Sequence, residues 1–316
     1  MLTLLIACTG AKDSASVTDT SDTDTTPDAS SLSCGADSPD QSTVEVNGLS
    51  LNVACQGDGP TMLMLHGFPE FWYAWGPLAG EIAGDYRVVM PDQRGYNLSD
   101  KPTELSDYTI DVLVADMVDL IGQISDEPIV LVAHDWGGIV AWYLAAQHPE
   151  LLSGLVILNS PHPDVFAREL AENPDQQEAS SYITWFQSEG VEDVLSANDY
   201  GLLGGTVFND AFSEADQAAY IDAWSQPGAL TAMLNWYRAN ADASGIAIPD
   251  APLMVTVPTL VIWGMADTAL LPGNLVGLDE YVSDLTVVEY AEATHWISHE
   301  EPEAVAVDIL SFAGSL

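Results

Sequence analysis

The chain has 316 residues, 47% of them hydrophobic and 9 of them Trp, a length that suits one large α/β domain with an insertion or two small domains. Its 48 acidic residues against 6 basic ones give a formal charge of −42; this excludes nucleic acid and anionic lipid as partners, because gripping phosphates needs Lys and Arg. No apolar run reaches the roughly 18 residues of a membrane-spanning helix.

Residues 1–42 read as a processing and tether segment outside the fold. Leu4-Leu-Ile-Ala-Cys8 resembles the lipobox of a bacterial lipoprotein, in which Cys8 would carry the lipid. It departs from a full signal in two ways: the apolar run from Leu2 to Ala7 is short, and no Lys or Arg precedes it. From Asp13 to Ser31, 15 of 19 residues are Ser, Thr or Asp. Such a stretch has too little apolar surface to offset the entropy of ordering it, so a flexible tether is expected. Cys34 and Cys55 stand at the N-terminal margin of the globular part. An exported chain would pair them; the alternative is two free thiols. The expected location is a bacterial cell envelope on a lipid anchor, or otherwise the periplasm or the exterior. The charge points to a salt-tolerant or halophilic source, the plainer alternative being an acidic extracellular protein.

From residue 43 the pattern becomes regular. Thr43–Val46 and Leu49–Val53 alternate around Asn47-Gly48, a hairpin signal. Thr61–Leu65 and Arg87–Met90 are continuous apolar runs, as expected for strands covered on both faces. Trp75–Ala83 suits a helix. Thr109–Ile124 has helical spacing through Val112, Ala115, Val118 and Ile121. A strand at 128–133, a helix at about 138–147 and a strand at 154–158 follow. Late strands are expected at 259–263 and 285–288, and a last helix after Glu301-Pro302. This alternation implies a mainly parallel, doubly wound sheet. Residues 162–250 break it with helical, aromatic-rich sequence, including the capping-box-like Ser213-Glu-Ala-Asp216. The expected organisation is a core of 43–161 and 251–316 with a helical lid at 162–250.

The stretch Ala133-His-Asp-Trp-Gly-Gly138 has the shape of a nucleophile elbow, with Asp135 where a serine often stands. Small residues at 133, 137 and 138 suit so tight a turn. The Trp136 N–H lies at a helix start, where the dipole and free donors favour negative charge. The loop His66-Gly-Phe-Pro69 follows the 61–65 strand and offers the Phe68 N–H as the second donor of an oxyanion hole. Of six His, His295 sits at the carboxyl end of a late strand and is the expected general base. Asp267, in Gly264-Met-Ala-Asp267, is the expected orienting carboxylate. The order nucleophile, acid, histidine is that of the α/β-hydrolases.

From about residue 43 to its end the chain resembles an epoxide hydrolase of the α/β-hydrolase fold. The resemblance rests on His66-Gly-Phe-Pro-Glu70, Pro91-Asp-Gln-Arg-Gly-Tyr-Asn-Leu-Ser-Asp-Lys-Pro102, His134-Asp-Trp-Gly-Gly138 and Thr294-His-Trp296, with two lid segments, Ser181-Tyr-Ile-Thr-Trp-Phe-Gln187 and Asn235-Trp-Tyr-Arg238. It implies that Tyr182 and Tyr237 are the two phenols that grip an epoxide oxygen; without it, each reads as a packed lid aromatic. It also implies an ester intermediate on Asp135, with no cofactor and no metal. Phe68, Trp72, Trp136 and Trp185 are the expected pocket aromatics, pointing to a small apolar epoxide. A haloalkane dehalogenase would use the same aspartate with Trp136 as a halide donor. A fluoroacetate dehalogenase would want an Arg near the elbow, where this chain has Trp136, Ile139 and Val140. An inactive binding lipoprotein is the reading of a different class, set against an intact catalytic set.

Overall fold

The computed structural model describes residues 32–242, 245–246 and 251–316. Cys8, the 13–31 tether and most of the last residues of the expected lid lie outside them. The centre is an eight-stranded sheet built from β1 (Asp40–Val46), β2 (Leu49–Gln56), β3 (Thr61–Leu65), β4 (Arg87–Pro91), β5 (Ile129–His134), β6 (Leu152–Leu158), β9 (Thr259–Gly264) and β10 (Leu285–Tyr290). The spatial order is β1-β2-β4-β3-β5-β6-β9-β10. β1 and β2 form the expected hairpin, with Asn47 and Gly48 both at positive φ, and β2 runs antiparallel to β4. The remaining pairs are parallel.

Strand alternation divides the core in two. Leu63, Leu65, Leu131, Ala133, Leu155, Ile157 and Val261 face α2 (Ile110–Ile124) and α3 (Asp135–Gln147). Met62, Met64, Val130, Val132, Val156, Leu260 and Ile262 face α1 (Gly76–Ile82) and α11 (Pro302–Ala313). Strands covered on both sides explain why β3, β5 and β9 are buried along their whole length and read as unbroken apolar runs. Helix α3 starts at Asp135, three residues before the expected start. Two glycines depress helix propensity there, but the tight turn requires them: a side chain on Gly137 would meet the Leu65 carbonyl oxygen at 2.3 Å.

Between β6 and β9 come α4 (Pro163–Glu172), α5 (Pro174–Ala179), α6 (Ser181–Phe186), α7 (Val191–Val207), α8 (Glu214–Ser225) and α9 (Ala229–Asn240). A short ribbon, β7 (Ala241–Asp242) with β8 (Gly245–Ile246), follows. No strand was expected here; two residues per strand are too few to show an alternation. Ser213 and Asp216 form a complete capping box at the start of α8. α7 is broken at Ala197–Tyr200, where Asn198, Asp199 and Tyr200 adopt left-handed backbone angles. The layer docks through indole and amide donors onto main-chain oxygens of the core: Trp224 on Pro69, Trp236 on Arg94 and Asn240 on Tyr108. α10 (Ile297–Glu300) leads into α11. Cys34 and Cys55 are disulfide-bonded, Cα to Cα 4.5 Å, tying the segment before β1 to β2.

Candidate active site

The turns that follow β3, β5, β6, β9 and β10 meet at one end of the sheet, where a doubly wound fold leaves its ligand crevice. Asp135 stands there at the tip of the β5–α3 turn with φ of 47°, a left-handed conformation that costs a non-glycine residue energy and that the surrounding packing holds. Gly67 completes the fit: a Cβ on it would lie 2.3 Å from that of Asp135. Ser160 donates to the Asp135 carbonyl oxygen at 2.6 Å.

The Asp135 carboxylate faces the expected partners. Its Oδ1 accepts the Phe68 N–H at 2.8 Å. Trp136 is the second residue of α3, in the first turn, whose N–H groups have no acceptor inside a helix. His295 Nε2 is 3.7 Å from Oδ2. The other nitrogen of that ring, Nδ1, contacts Asp267 Oδ2 at 2.7 Å. Asp267 is buried and its carboxylate is surrounded by donors: Asn159 Nδ2 at 2.8 Å on Oδ2, and the N–H groups of Ala269 and Leu270 at 2.8 and 2.9 Å on Oδ1. Burial works to raise its pKa, but His295 and these hydrogen bonds outweigh burial and hold it below the ordinary value. Burial likewise works to lower the pKa of His295; the Asp267 charge and hydrogen bond, then Asp135 and Glu70, overcome it and raise the pKa to about 9. The resting site therefore holds an imidazolium between two carboxylates at neutral pH.

Behind His295 lies a buried polar cluster. Glu70 meets His134 Nδ1 at 2.8 Å, His299 Nε2 at 3.1 Å and the Tyr220 hydroxyl at 3.2 Å. His134 Nε2 contacts the backbone oxygen of His295 at 2.9 Å, so the cluster braces the loop that carries the base. The charge of His134 and its hydrogen bond, against the cost of burial, hold Glu70 well below the usual carboxylate range.

Opposite the carboxylate, Tyr182 on α6 and Tyr237 on α9 bring their rings to 6.2 Å of one another. Phe186 packs edge-on against both, and Phe68 and Trp136 pack edge-on against Tyr237. Burial first, then the Asp135 charge, raises both phenols well above their ordinary pKa, so both stay protonated donors.

Asp135, Phe68, Tyr182, Trp185, Tyr237, Asp267 and His295 all line one cavity of about 540 Å³. Trp136 lines a second, small cavity on the other side of Asp135. Trp72 does not line either one. The turn after Pro69 carries it away from the crevice, its N–H donates to Asp92 at 3.0 Å, and its ring packs on Phe71 and Tyr73. Asn159 and Glu70 escaped the sequence reading. Asn159 follows β6 directly, and a polar residue ending an apolar run at the carboxyl edge of the sheet is the signal that marks it. Glu70 looks like any loop acid until His134 and His299 are placed beside it. Among the described residues no group of His, Cys, Asp and Glu is arranged to hold a metal ion.

An elbow carboxylate served by a histidine–aspartate pair, under a helical layer, is the architecture of a hydrolytic enzyme. Residues 60–302 match the family described as alpha/beta hydrolase fold. The chain is 43% identical over 277 residues to AB hydrolase superfamily protein YfhM of Bacillus subtilis (strain 168), spanning 85% of this chain and 96% of that one. It is 34% identical over 284 residues to Epoxide hydrolase 4 of Homo sapiens, spanning 85% and 77%. Among solved structures, an epoxide hydrolase of Bacillus megaterium in complex with an inhibitor superposes with a TM-score of 0.83 at 35% identity, covering 86% of this chain and 100% of that one. The chain belongs to the α/β-hydrolase fold family and, within it, to the epoxide hydrolases.

Proposed function

We propose that the protein hydrolyses a small apolar epoxide to a vicinal diol through an ester on Asp135. The observation that carries this reading is a carboxylate at the elbow tip with a histidine–aspartate pair behind it and two protonated phenols across from it. An epoxide needs a nucleophile at carbon and a donor at oxygen. A carboxylate attacks saturated carbon without a base to activate it. The new bond joins an Asp135 oxygen to the epoxide carbon, the C–O bond of the ring breaks, and the departing oxygen takes a proton from Tyr182 or Tyr237. Hydrogen bonds from the phenols strengthen as charge grows on that oxygen.

Ester formation removes the Asp135 charge, one of the causes that raise the pKa of His295. Alkylation thereby lets the resting imidazolium give its proton to solvent, which leaves the neutral base, and His295 regains a solvent proton when the Asp135 charge returns at the end of the cycle. His295 Nε2 then takes a proton from water as the water oxygen attacks the Asp135 carboxyl carbon. The oxyanion formed there meets the N–H groups of Phe68 and Trp136. Collapse expels the diol oxygen, which takes the proton from His295. The second proton of the water, released as the Asp135 acid ionises, restores the phenol.

The halide-releasing alternative needs the Trp136 indole as a halide donor and has no use for the two phenols that line the cavities with Asp135. No Lys or Arg lines either cavity among the described residues, in keeping with an uncharged substrate. Diol and halide release, measured on an epoxide and on a matched haloalkane with wild type and Asp135→Ala, test the reading. Diol from wild type alone is expected; halide release without diol would contradict it.

We further infer export to the cell envelope, supported by the Cys34–Cys55 bond and the Cys8 motif. Membrane partition that is lost on Cys8→Ser is expected; a reduced, unprocessed protein in the cytosolic fraction would contradict it.

A further inference from the structure

Three residues, Asp135, Tyr182 and Tyr237, belong to the walls of two cavities at once. On one side lies the 540 Å³ cavity, walled by Phe68, Phe186, Leu195, Leu203 and Phe208 and reaching solvent past Trp185 and Leu202, which are 38% and 48% exposed. On the other lies a space of only about 20 Å³, closed by Ile139, Phe166, Ile183 and Leu270, each no more than 3% exposed. A single water-sized probe occupies about 10–15 Å³, so the small side has room for one water or one methyl group. The large side has the size of an ordinary ligand pocket.

From this asymmetry we propose that the enzyme is selective for epoxides with one large apolar arm, the far carbon carrying hydrogen or at most a methyl group. The proposal rests on the epoxide reading above. The three shared residues fix the reacting ring between the two spaces: the oxygen toward the phenols, one carbon toward Asp135. Substituents on the two carbons of a trans epoxide diverge, so one arm must enter each cavity. A terminal epoxide such as an aryl glycidyl ether places its arm on the large side and nothing on the small one. A trans-1,2-diaryl epoxide has an aryl ring directed at Phe166 and Ile183. These side chains are fully packed, and a close-packed interior does not yield space for a ring without displacing them.

The test compares kcat/KM for phenyl glycidyl ether and trans-1,2-diphenyloxirane, in wild type and in Phe166→Ala and Ile183→Ala, with circular dichroism melts to show that each variant is folded. In wild type the terminal epoxide is expected to be favoured by at least a hundredfold. In a folded variant the ratio is expected to move at least tenfold toward the diaryl epoxide. Wild-type turnover of both within threefold, or a preference for the diaryl substrate, would overturn the selectivity and leave the epoxide reading standing. So would a ratio unchanged in a folded, opened variant. No diol from either substrate, or from methyl-substituted oxiranes added to the panel, would instead remove the epoxide reading, and this proposal with it. The wild-type ratio alone decides the matter if neither variant folds.

Discussion

The two halves of the site are held in different ways. Asp135, Asp267 and His295 stand on turns at the ends of core strands, and polar contacts fix each of them: Phe68 N–H on Asp135, Asn159 and two N–H groups on Asp267, Asp267 and the His134-anchored carbonyl on His295. Tyr182 and Tyr237 come from helices of the inserted layer and are held mainly by ring packing. The difference matches the proposed chemistry. Ester hydrolysis needs a proton moved along a fixed line from water through Nε2, and directional bonds supply that line. Epoxide opening needs only a donor close to an oxygen, and aromatic packing places a phenol well enough for that.

Asp135→Ala breaks both halves at once. Diol formation is expected to fall by about 10⁴-fold or more, the order reached when one member of a cooperating set is removed. His295→Gln separates the halves. Ester should form in a burst and then stall, and mass spectrometry of the Asp135 peptide should find the adduct; steady diol production at the wild-type rate would contradict the assignment. Asp267→Asn removes the largest influence that keeps the proton on His295 and should slow ester hydrolysis by about 10²–10⁴-fold while leaving the burst. On the lid side, Tyr182→Phe or Tyr237→Phe alone should slow the burst by about 10²-fold, and the pair by clearly more. A double variant that opens epoxides at the wild-type rate would reduce both residues to packing.

Two condition changes give smaller effects. His295 works as a base only when it has lost its proton, and its pKa is about 9 while Asp135 is ionised. The ester state lacks that charge, so its midpoint should lie below 9. Single-turnover ester hydrolysis should therefore fall as pH drops through that lower midpoint and level off above it. An ester-hydrolysis rate flat from pH 5 to 9 would contradict the base assignment. Salt should act on stability rather than on the site. Every described cation is engaged: Arg87 with Thr61, Arg94 with Asp116, Lys101 with the Ser99 carbonyl, Arg168 with Glu169 and Arg238 with Glu192. Most of the 48 acids therefore have no cationic partner and repel one another. The screening length falls from about 10 Å at 0.1 M to about 3 Å at 1 M, so the melting temperature should rise by several degrees in molar NaCl. A melting temperature independent of NaCl would remove the halophilic reading.

Much of this was legible because the relevant signals are local. The β3, β5 and β9 runs, the Asn47-Gly48 hairpin and the small residues around Asp135 each carry their own physical reason in a few neighbouring positions. His295 and Asp267 were placed by chain order at strand ends. Tyr182 and Tyr237 were not legible from spacing at all; only the resemblance of their segments marked them, since a lid tyrosine looks like any packed aromatic. Glu70 and Asn159 were missed because their roles exist only across 64 residues to His134 and 108 residues to Asp267. The Trp72 expectation failed for a related reason. Nearness to the Phe68 loop in sequence does not say which way the chain turns after Pro69.

The central claim is that water attacks the carboxyl carbon of Asp135 and not the epoxide carbon. A single turnover in H₂¹⁸O, with enzyme in excess over a terminal epoxide, tests it on the unmodified protein. The account predicts ¹⁸O in the Asp135 peptide and unlabelled oxygen in the diol formed in that turnover. A diol carrying ¹⁸O with an unlabelled Asp135 would show direct attack by water and would contradict the ester mechanism.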